Sequence, residues 1–561
     1  MNPTQSEDET DGSRSTDEPF PFQAQIFIVL MFVSVSLRLW LLIVSRHYLR
    51  SDEAVTAMEA LDIMEGGPIP FFHYGQAYGG GHTVEALMAI PWFAAFGPSD
   101  YLFKLGPALL SCVYILVVYV SVYQFVGKKC ALIAAALFSL FAPFVAFNFY
   151  DNGGSVTTLF GWLGLYLFFR SYFAEREKPW SLVLSGASLG FAYYCFDYAL
   201  YYFAAAIALW VLKYNVHLWK QWRCLLLLIL SFLVGASPLI YYNLTREFAN
   251  LKNLLYRTAE PQSRLLLSAP MRFARLLVHD LPAFFSLDVE DFPTEISLIS
   301  YFSYGLFVIA MLYIFARLGP AAASTIRSFF ARKVVVVVPE QRVIYFVLLF
   351  FLYAAIYSLS GSGGHAPRYL IVLCPFISIV LAWAAYDLGK RHLIPAVIVL
   401  SLFGGLQIPF WVELARDKTV PEWDVRTHGE DMTALAKFLL VNGLTTIATP
   451  YDIKWKLMFE SRRRVICAAY LFGFDREEKY NREVIHRVND LRAPLAFVFD
   501  KEYKLARVAL RFNPAGAFDV VGFHEFLQRN KIDYKVTPIG QDYIVYHGFS
   551  KHFELPDPYR S

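Results

Sequence analysis

Charge is scarce in this chain. Only 17% of its 561 residues are charged, against 57% hydrophobic, and the mean hydropathy is +0.42. Soluble domains carry about 25% charged residues, so a purely water-soluble architecture is excluded. The net charge is only +3, and the basic residues sit in short loops rather than along one face, which excludes a nucleic-acid partner. Cysteine is also scarce: six residues, at 112, 130, 195, 224, 374 and 467, most of them inside apolar runs. Neither a disulfide framework nor a CxxC metal motif follows from that pattern. The centres of the apolar runs carry almost no ionisable side chains, whereas a transporter needs polar groups at mid-helix depth.

What is abundant is apolar sequence in long runs. Runs of membrane-span length, or nearly so, fall at 22–45, 104–126, 130–148, 154–173, 181–194, 198–212, 224–243, 298–317, 342–360, 368–388 and 392–412. They predict a mainly α polytopic membrane protein with about eleven transmembrane helices. Residues 1–21 are polar and acidic and are expected to form a disordered cytoplasmic tail. The first run lacks a small-x-small cleavage site after it and reads as a retained anchor. A shorter stretch, 83–97, contains Pro91 and is expected not to cross.

Orientation follows from the basic loops. Lys128-Lys129, Arg176/Lys178, Lys213/Lys220/Arg223, the group Arg317 to Arg342, and Lys390-Arg391 share one side only if 83–97 stays out of the membrane. The positive-inside rule places that side in the cytoplasm, although Arg46 and Arg50 after the first run point the other way. The N-terminus is then cytoplasmic. The segments 46–103, 149–153, 195–197, 244–297, 361–367 and 413–561 lie outside. They hold the residues suited to chemistry: Asp52, Glu53, Glu59, His73, His82, Glu85, Asp151, Asn152, His279, Asp280 and His365.

From 413 onward charge returns. Residues 429–442 have a helical period ending at Gly443, with further helices expected at 453–459 and 522–530. Strand character marks 444–449, 464–469, 495–499, 533–537 and 542–547. This is an extracytoplasmic α/β domain, 413–561, beside the membrane domain 22–412. It has no GxGxxG and no GxxxxGK[ST]. Tyr451 to Leu457 reads either as one wall of a sugar groove or as an aromatic helix packed on a sheet, and packing is favoured.

The acidic pair Asp52-Glu53 stands just past the first run. It reads either as a helix cap or as carboxylates for acid/base work at a membrane surface. Ser51-Asp52-Glu53-Ala54 opens the first external loop and resembles the Asp-Glu motif of mannosyl- and aminoarabinosyltransferases. Phe149-Tyr150-Asp151-Asn152-Gly153-Gly154 is similar to the Asp-Asn-Glu motif of oligosaccharyltransferase, with Gly153 in place of the Glu. His365-Ala366-Pro367-Arg368-Tyr369-Leu370 resembles the Arg-Tyr-Leu entry to a late span in bacterial members. Together these resemble the GT-C superfamily of membrane glycosyltransferases, which take a sugar from a polyprenyl phosphate.

The resemblance implies a polyprenyl-phosphate-linked sugar donor, an extracytoplasmic acceptor (lipid, glycan or protein) and an integral plasma (inner) membrane location. Asp52 is the expected base, since a carboxylate near low dielectric has its pKa raised toward usefulness, and Glu53 orients the acceptor or Asp52. Arg368 and Lys104 are candidates for the donor phosphate, with snorkelling to lipid head groups as the competing reading. Candidate substrate contacts are Asp151, Asn152, His73, Tyr78, His82, His365 and Tyr369. Some relatives bind a divalent ion, for which His82, Glu85 and Asp151 are the candidate ligands. The Gly at 153 argues against the oligosaccharyltransferase metal site. Ligation or polymerisation of oligosaccharides and non-catalytic transport or assembly are the alternative functions.

Overall fold

The computed structural model describes residues 22–44, 49–74, 76–145, 154–174, 178–258, 262–285, 297–331, 342–359, 367–390, 393–415, 429–469, 471, 477–501 and 520–558. In hydrocarbon every backbone polar group must be paired within the segment, so the apolar runs fold as helices. In chain order these are α1 (Gln23–Val44), α2 (Ser51–Met64), α3 (Gly80–Phe96), α4 (Asp100–Phe125), α5 (Lys128–Leu140), α6 (Gly154–Tyr172), α7 (Pro179–Cys195), α8 (Leu200–Tyr214), α9 (Trp222–Gly235), α10 (Ser237–Thr245), α11 (Ala249–Thr258), α12 (Gln262–Arg275), α13 (Leu298–Phe330), α14 (Val343–Leu359), α15 (Cys374–Gly389) and α16 (Leu393–Ala415).

Among the described residues, five helical stretches are long and apolar enough to cross a membrane unaided: Gln23–Val44, Asp100–Phe125, Leu298–Pro320, Leu370–Gly389 and Ile394–Val412. The run expected at 224–243 is instead a helix pair bent by 62°, and counting it as one span makes six. Others of the expected runs are shorter helices, with 17 residues in α7, 15 in α8 and 17 in α14. The run 130–148 is cut short because Phe141 turns extended at the end of α5, ahead of Pro143.

Two features hold the bundle together. Arg38, the one charge inside α1, is buried and fully engaged. Its Nε donates to Ser111 Oγ at 2.6 Å, and its Nη1 donates to the Ser34 carbonyl at 3.1 Å. It also reaches the Ser139 carbonyl at 3.5 Å, tying α1 to α4 and α5. Between α7 and α9 the backbones nearly touch: a Cβ on Gly190 would lie 2.0 Å from the Phe232 carbonyl oxygen, and one on Gly235 would lie 2.0 Å from that of Ala187. Small residues permit this contact, the usual basis of helix association where no hydrophobic effect separates helix from lipid.

The C-terminal region contains α17 (Gly429–Val441), β1 (Thr446–Ala448), α18 (Tyr451–Glu460), β2 (Ile466–Ala468), α19 (Glu478–Asn489), β3 (Leu495–Asp500), α20 (Val520–Arg529), β4 (Lys535–Ile539) and β5 (Tyr543–His547). Gly443 ends α17 with φ +66°, and the Leu444 N–H donates back to the Leu439 carbonyl at 2.8 Å, a glycine C-cap as expected. All five expected strands form, in the order β2-β1-β3-β5-β4; β1 pairs parallel to β2 and β3, and β5 pairs antiparallel to β3 and β4. The helix α19 was not anticipated, because its apolar stripe is thin among charged residues; it supplies the crossover from β2 toward β3 that parallel strands require.

The apolar packing divides the chain in an unexpected place. Ala54, Val55, Met58, Ala86, Ala89 and Phe93 of α2 and α3 share one hydrophobic core with Leu435, Ile453, Trp455, Val484 and Phe497 of the C-terminal region. The membrane bundle has its own, larger core. The first loop is therefore built into the floor of the C-terminal domain.

Candidate active site

The acidic pair opens α2, a helix whose residues Glu53 to Asp62 are all buried. The helix-cap reading is realised by one of the two carboxylates. Glu53 Oε2 accepts the Arg50 backbone N–H at 2.7 Å, a helix N-terminal cap favoured by the exposed amides and the dipole there. The same oxygen lies 3.1 Å from Lys104 Nζ, and both side chains are buried, at 2% and 1% exposure. Asp52, half-buried, is not used in the cap. Its Oδ1 accepts the Tyr451 hydroxyl at 2.7 Å, from the first residue of α18. Ser51 Oγ donates to Asp452 Oδ1 at 3.2 Å, a second contact between the same two helix ends.

Below the pair, Thr56 and Glu59 follow Asp52 at i+4 and i+7, which places the three on one face of α2. That face meets the following loop. His73 Nδ1 lies 3.2 Å from Glu59 Oε1 and 3.4 Å from Thr56 Oγ1, and the Tyr74 N–H donates to Glu59 Oε1 at 2.7 Å. The rings of His73 and His82 stack, with centroids 4.3 Å apart, and His82 and Tyr78 both approach Phe196. Gly80 is required where it stands, because a Cβ there would lie 2.4 Å from the ring of Tyr194. That ring's hydroxyl donates to the Phe71 carbonyl at 2.7 Å.

One turn further, Asp62 joins the two parts of the molecule. Its Oδ2 accepts the Tyr74 hydroxyl at 2.7 Å and the Tyr480 hydroxyl at 3.1 Å, and its Oδ1 is bonded by Arg463, with Lys479 Nζ at 3.4 Å. Burial, and then the charge of Asp62, push both phenols well above their ordinary pKa of 10.0. They stay neutral donors at any physiological pH.

Next to the stacked histidines lies a small indentation, with room for about one water molecule, lined by Phe72, Tyr78, Tyr193, Tyr194, Asp197 and Asn250 among others. Asn250 Nδ2 donates to the Ala77 carbonyl at 2.6 Å, which brings α11 against the first loop. Described residues of the first loop, the 195–197 turn, α11 and the C-terminal region thus meet at one end of the bundle.

The structure brings together Asp52, Glu53, Lys104, His73, Tyr78 and His82 from the expected set. Arg368 and Tyr369 lie in the 3₁₀ segment Pro367–Leu373 leading into α15, with their side chains outside the described residues, and that segment packs against Leu281–Phe284. Asp151, Asn152 and His365 lie outside the described residues. His279 and Asp280 sit at a π-helical turn, bonded to each other at 3.1 Å. Among the described residues no cluster of three or more His, Cys, Asp or Glu forms a metal site; Asp151, the third candidate ligand beside His82 and Glu85, lies outside them. Sequence reasoning did not single out Asp62, Asp197 or Asn250 for the site, and it took Tyr451 only within a stretch read either as a groove wall or as a packed aromatic helix, with packing favoured. For Asp62 a signal existed in its place on the same helix as the pair, but the others depend on chain pairings that spacing does not reveal.

The fold of the chain is similar to that of solved structures. ArnT from Cupriavidus metallidurans in the apo state superposes with a TM-score of 0.55 at 15% identity, over 93% of this chain and 98% of that one. The chain shares its fold with ArnT. ArnT bound to undecaprenyl phosphate gives a TM-score of 0.53 at 14% identity, over 94% of this chain and 97% of that one. The archaeal oligosaccharyltransferase AglB from Archaeoglobus fulgidus, in complex with an inhibitory peptide and a dolichol phosphate, gives 0.47 at 14% identity, over 86% of this chain and 69% of that one. No family model matches the chain, and neither does any curated protein.

Proposed function

We propose that this chain is a multi-pass glycosyltransferase of the plasma (inner) membrane. It moves a sugar from a polyprenyl-phosphate donor to an extracytoplasmic acceptor. The observation that carries this reading is the acidic pair at the head of α2, roofed by the C-terminal domain at one end of a bundle with the ArnT fold. ArnT itself has been seen with undecaprenyl phosphate bound.

In this reading Asp52 takes the proton from the acceptor hydroxyl or amine. The acceptor atom forms its bond to the anomeric carbon with inversion, while the bond from that carbon to the phosphate oxygen breaks. The carrier phosphate keeps that electron pair. Glu53, committed to the cap and to Lys104, fixes the helix end that presents Asp52. Arg368 is the first choice for the departing phosphate because its planar fork suits bidentate contact, with Lys104 as a point charge behind it. His73, His82 and Tyr78, together with Asp151, Asn152, His365 and Tyr369, are assigned to substrate contact.

The test compares cell-surface glycans and lipids by mass spectrometry in cells with the wild-type chain, without it, and with Asp52→Asn. A sugar modification should vanish without the chain, and the variant should lose about 10²–10⁴ in transfer rate while remaining in the membrane. Wild-type modification by Asp52→Asn removes Asp52 from the role of base. Reporter fusions at Lys390 and beyond Ala415 should lie on opposite sides; both on one side would overturn the orientation.

A further inference from the structure

We infer that Tyr451, contributed by the C-terminal domain, is a positioning residue for the Asp52 carboxylate. The C-terminal domain thereby completes the active site. This rests on the reading of Asp52 as the base.

The geometry is specific. Asp52 projects from the first turn of α2, where the neighbouring carboxylate Glu53 is already held by the Arg50 amide and Lys104. The Tyr451 hydroxyl donates to Asp52 Oδ1 at 2.7 Å, across 399 positions of sequence. Tyr451 is itself placed rigidly: it is the first residue of α18, preceded by Pro450, and Trp455 one turn on is buried in the shared core. The Ser51 to Asp452 contact pins the same two helix starts, so neither end can slide without breaking both. A phenol has one rotatable hydroxyl on a stiff ring, so it fixes the direction of the carboxylate oxygen that it meets.

Two consequences follow. Donation to a carboxylate favours its charged form, so the hydroxyl keeps Asp52 ionised and ready to accept a proton. It also holds the carboxylate in one orientation, and misplacement of a catalytic group by an ångström can cost on the order of 10² in rate. The other ionisable groups on α2's own segment are Arg50, Glu53, Glu59, Asp62 and Glu65. From the elements around it come His73, Tyr74, His82, Glu85, Asp100, Lys104, Asp452, Lys454, Lys456, Glu460, Arg463 and Lys479. All of them are the same in wild type and Tyr451→Phe, which differ by one oxygen atom.

The experiment uses the full chain in lipid nanodiscs. Carbodiimide, which reacts with protonated carboxyls, labels the protein across a pH series, and peptide mass spectrometry reads labelling at Asp52. In Tyr451→Phe the labelling midpoint of Asp52 should rise by about one pH unit. Tyr480→Phe, which removes a phenol from Asp62 at the same domain junction, should leave that midpoint in place. An unchanged midpoint in Tyr451→Phe, or an equal shift in both variants, overturns the inference.

Turnover gives the second readout. Undecaprenyl phosphate carrying labelled glucose, galactose or mannose is supplied in turn to native membranes. With the sugar that wild type transfers, Tyr451→Phe should lose about tenfold in kcat at nearly constant donor KM, with the acid limb of its pH profile moved up. Loss confined to KM overturns the positioning role. Full transfer by Asp52→Asn would sink the parent reading instead, whatever the labelling midpoints show.

Discussion

Glu53 and Lys104 form an ion pair, Oε2 to Nζ 3.1 Å, buried where α2 meets α4. Lys104 is thereby tied to the acidic motif itself. An isolated cation there would be expensive in a low-dielectric setting, and an isolated carboxylate equally so.

Breaking that pair from one side should therefore be costly. Glu53→Gln or Lys104→Met alone should each destabilise the protein by about 3–5 kcal/mol, and the double variant by much less than the sum. Thermal unfolding in nanodiscs measures this. Donor saturation then separates the two phosphate candidates. Arg368→Ala should weaken donor use by one to two orders of magnitude, since charge-assisted bonds are worth roughly 1.5–3 kcal/mol each. Arg368→Lys should not restore it, because a point charge lacks the guanidinium fork. Unchanged donor dependence in Arg368→Ala would pass the phosphate contact to Lys104.

The junction at Asp62 has a pH signature. Tyr74 and Tyr480 have folded-state pKa values above the ordinary 10.0 that applies when unfolded, chiefly through burial and then through Asp62. Between those values the unfolded chain has lost protons that the folded one keeps. The stabilisation is thus fully present below pH 10 and is lost as pH rises beyond it. Alkaline unfolding should be less steep in the Tyr74→Phe and Tyr480→Phe variants. Phenol absorbance should show both residues titrating late in the wild type. If they titrate with the exposed tyrosines, the junction is not closed in solution.

The α7–α9 contact should not tolerate a methyl group. Gly190→Ala would set a Cβ 2.0 Å from a backbone carbonyl that cannot swing aside, so the helices must part, costing roughly 1–3 kcal/mol or more. Gly404→Ala, in α16 with nothing within 4 Å, is the control and should be neutral. Equal unfolding temperatures for the two variants would contradict the close packing.

The sequence by itself determined the class of molecule and its local elements. Hydrophobic run length marks membrane helices without reference to any partner, and period and glycine caps located α17, ended by Gly443, and the five strands. Asp52-Glu53 stood out in the sequence as two adjacent acids just past an apolar run. The tertiary structure decided what each acid touches. Glu53 finds Lys104 on another helix, and Asp52 finds Tyr451 across 399 residues. It also decided that α2 and α3 share a core with the C-terminal domain. The physical reason is that patterning records only whether a face is apolar. Which other apolar face covers it depends on shape and on chain crossings between distant segments, and no spacing along the sequence carries that information.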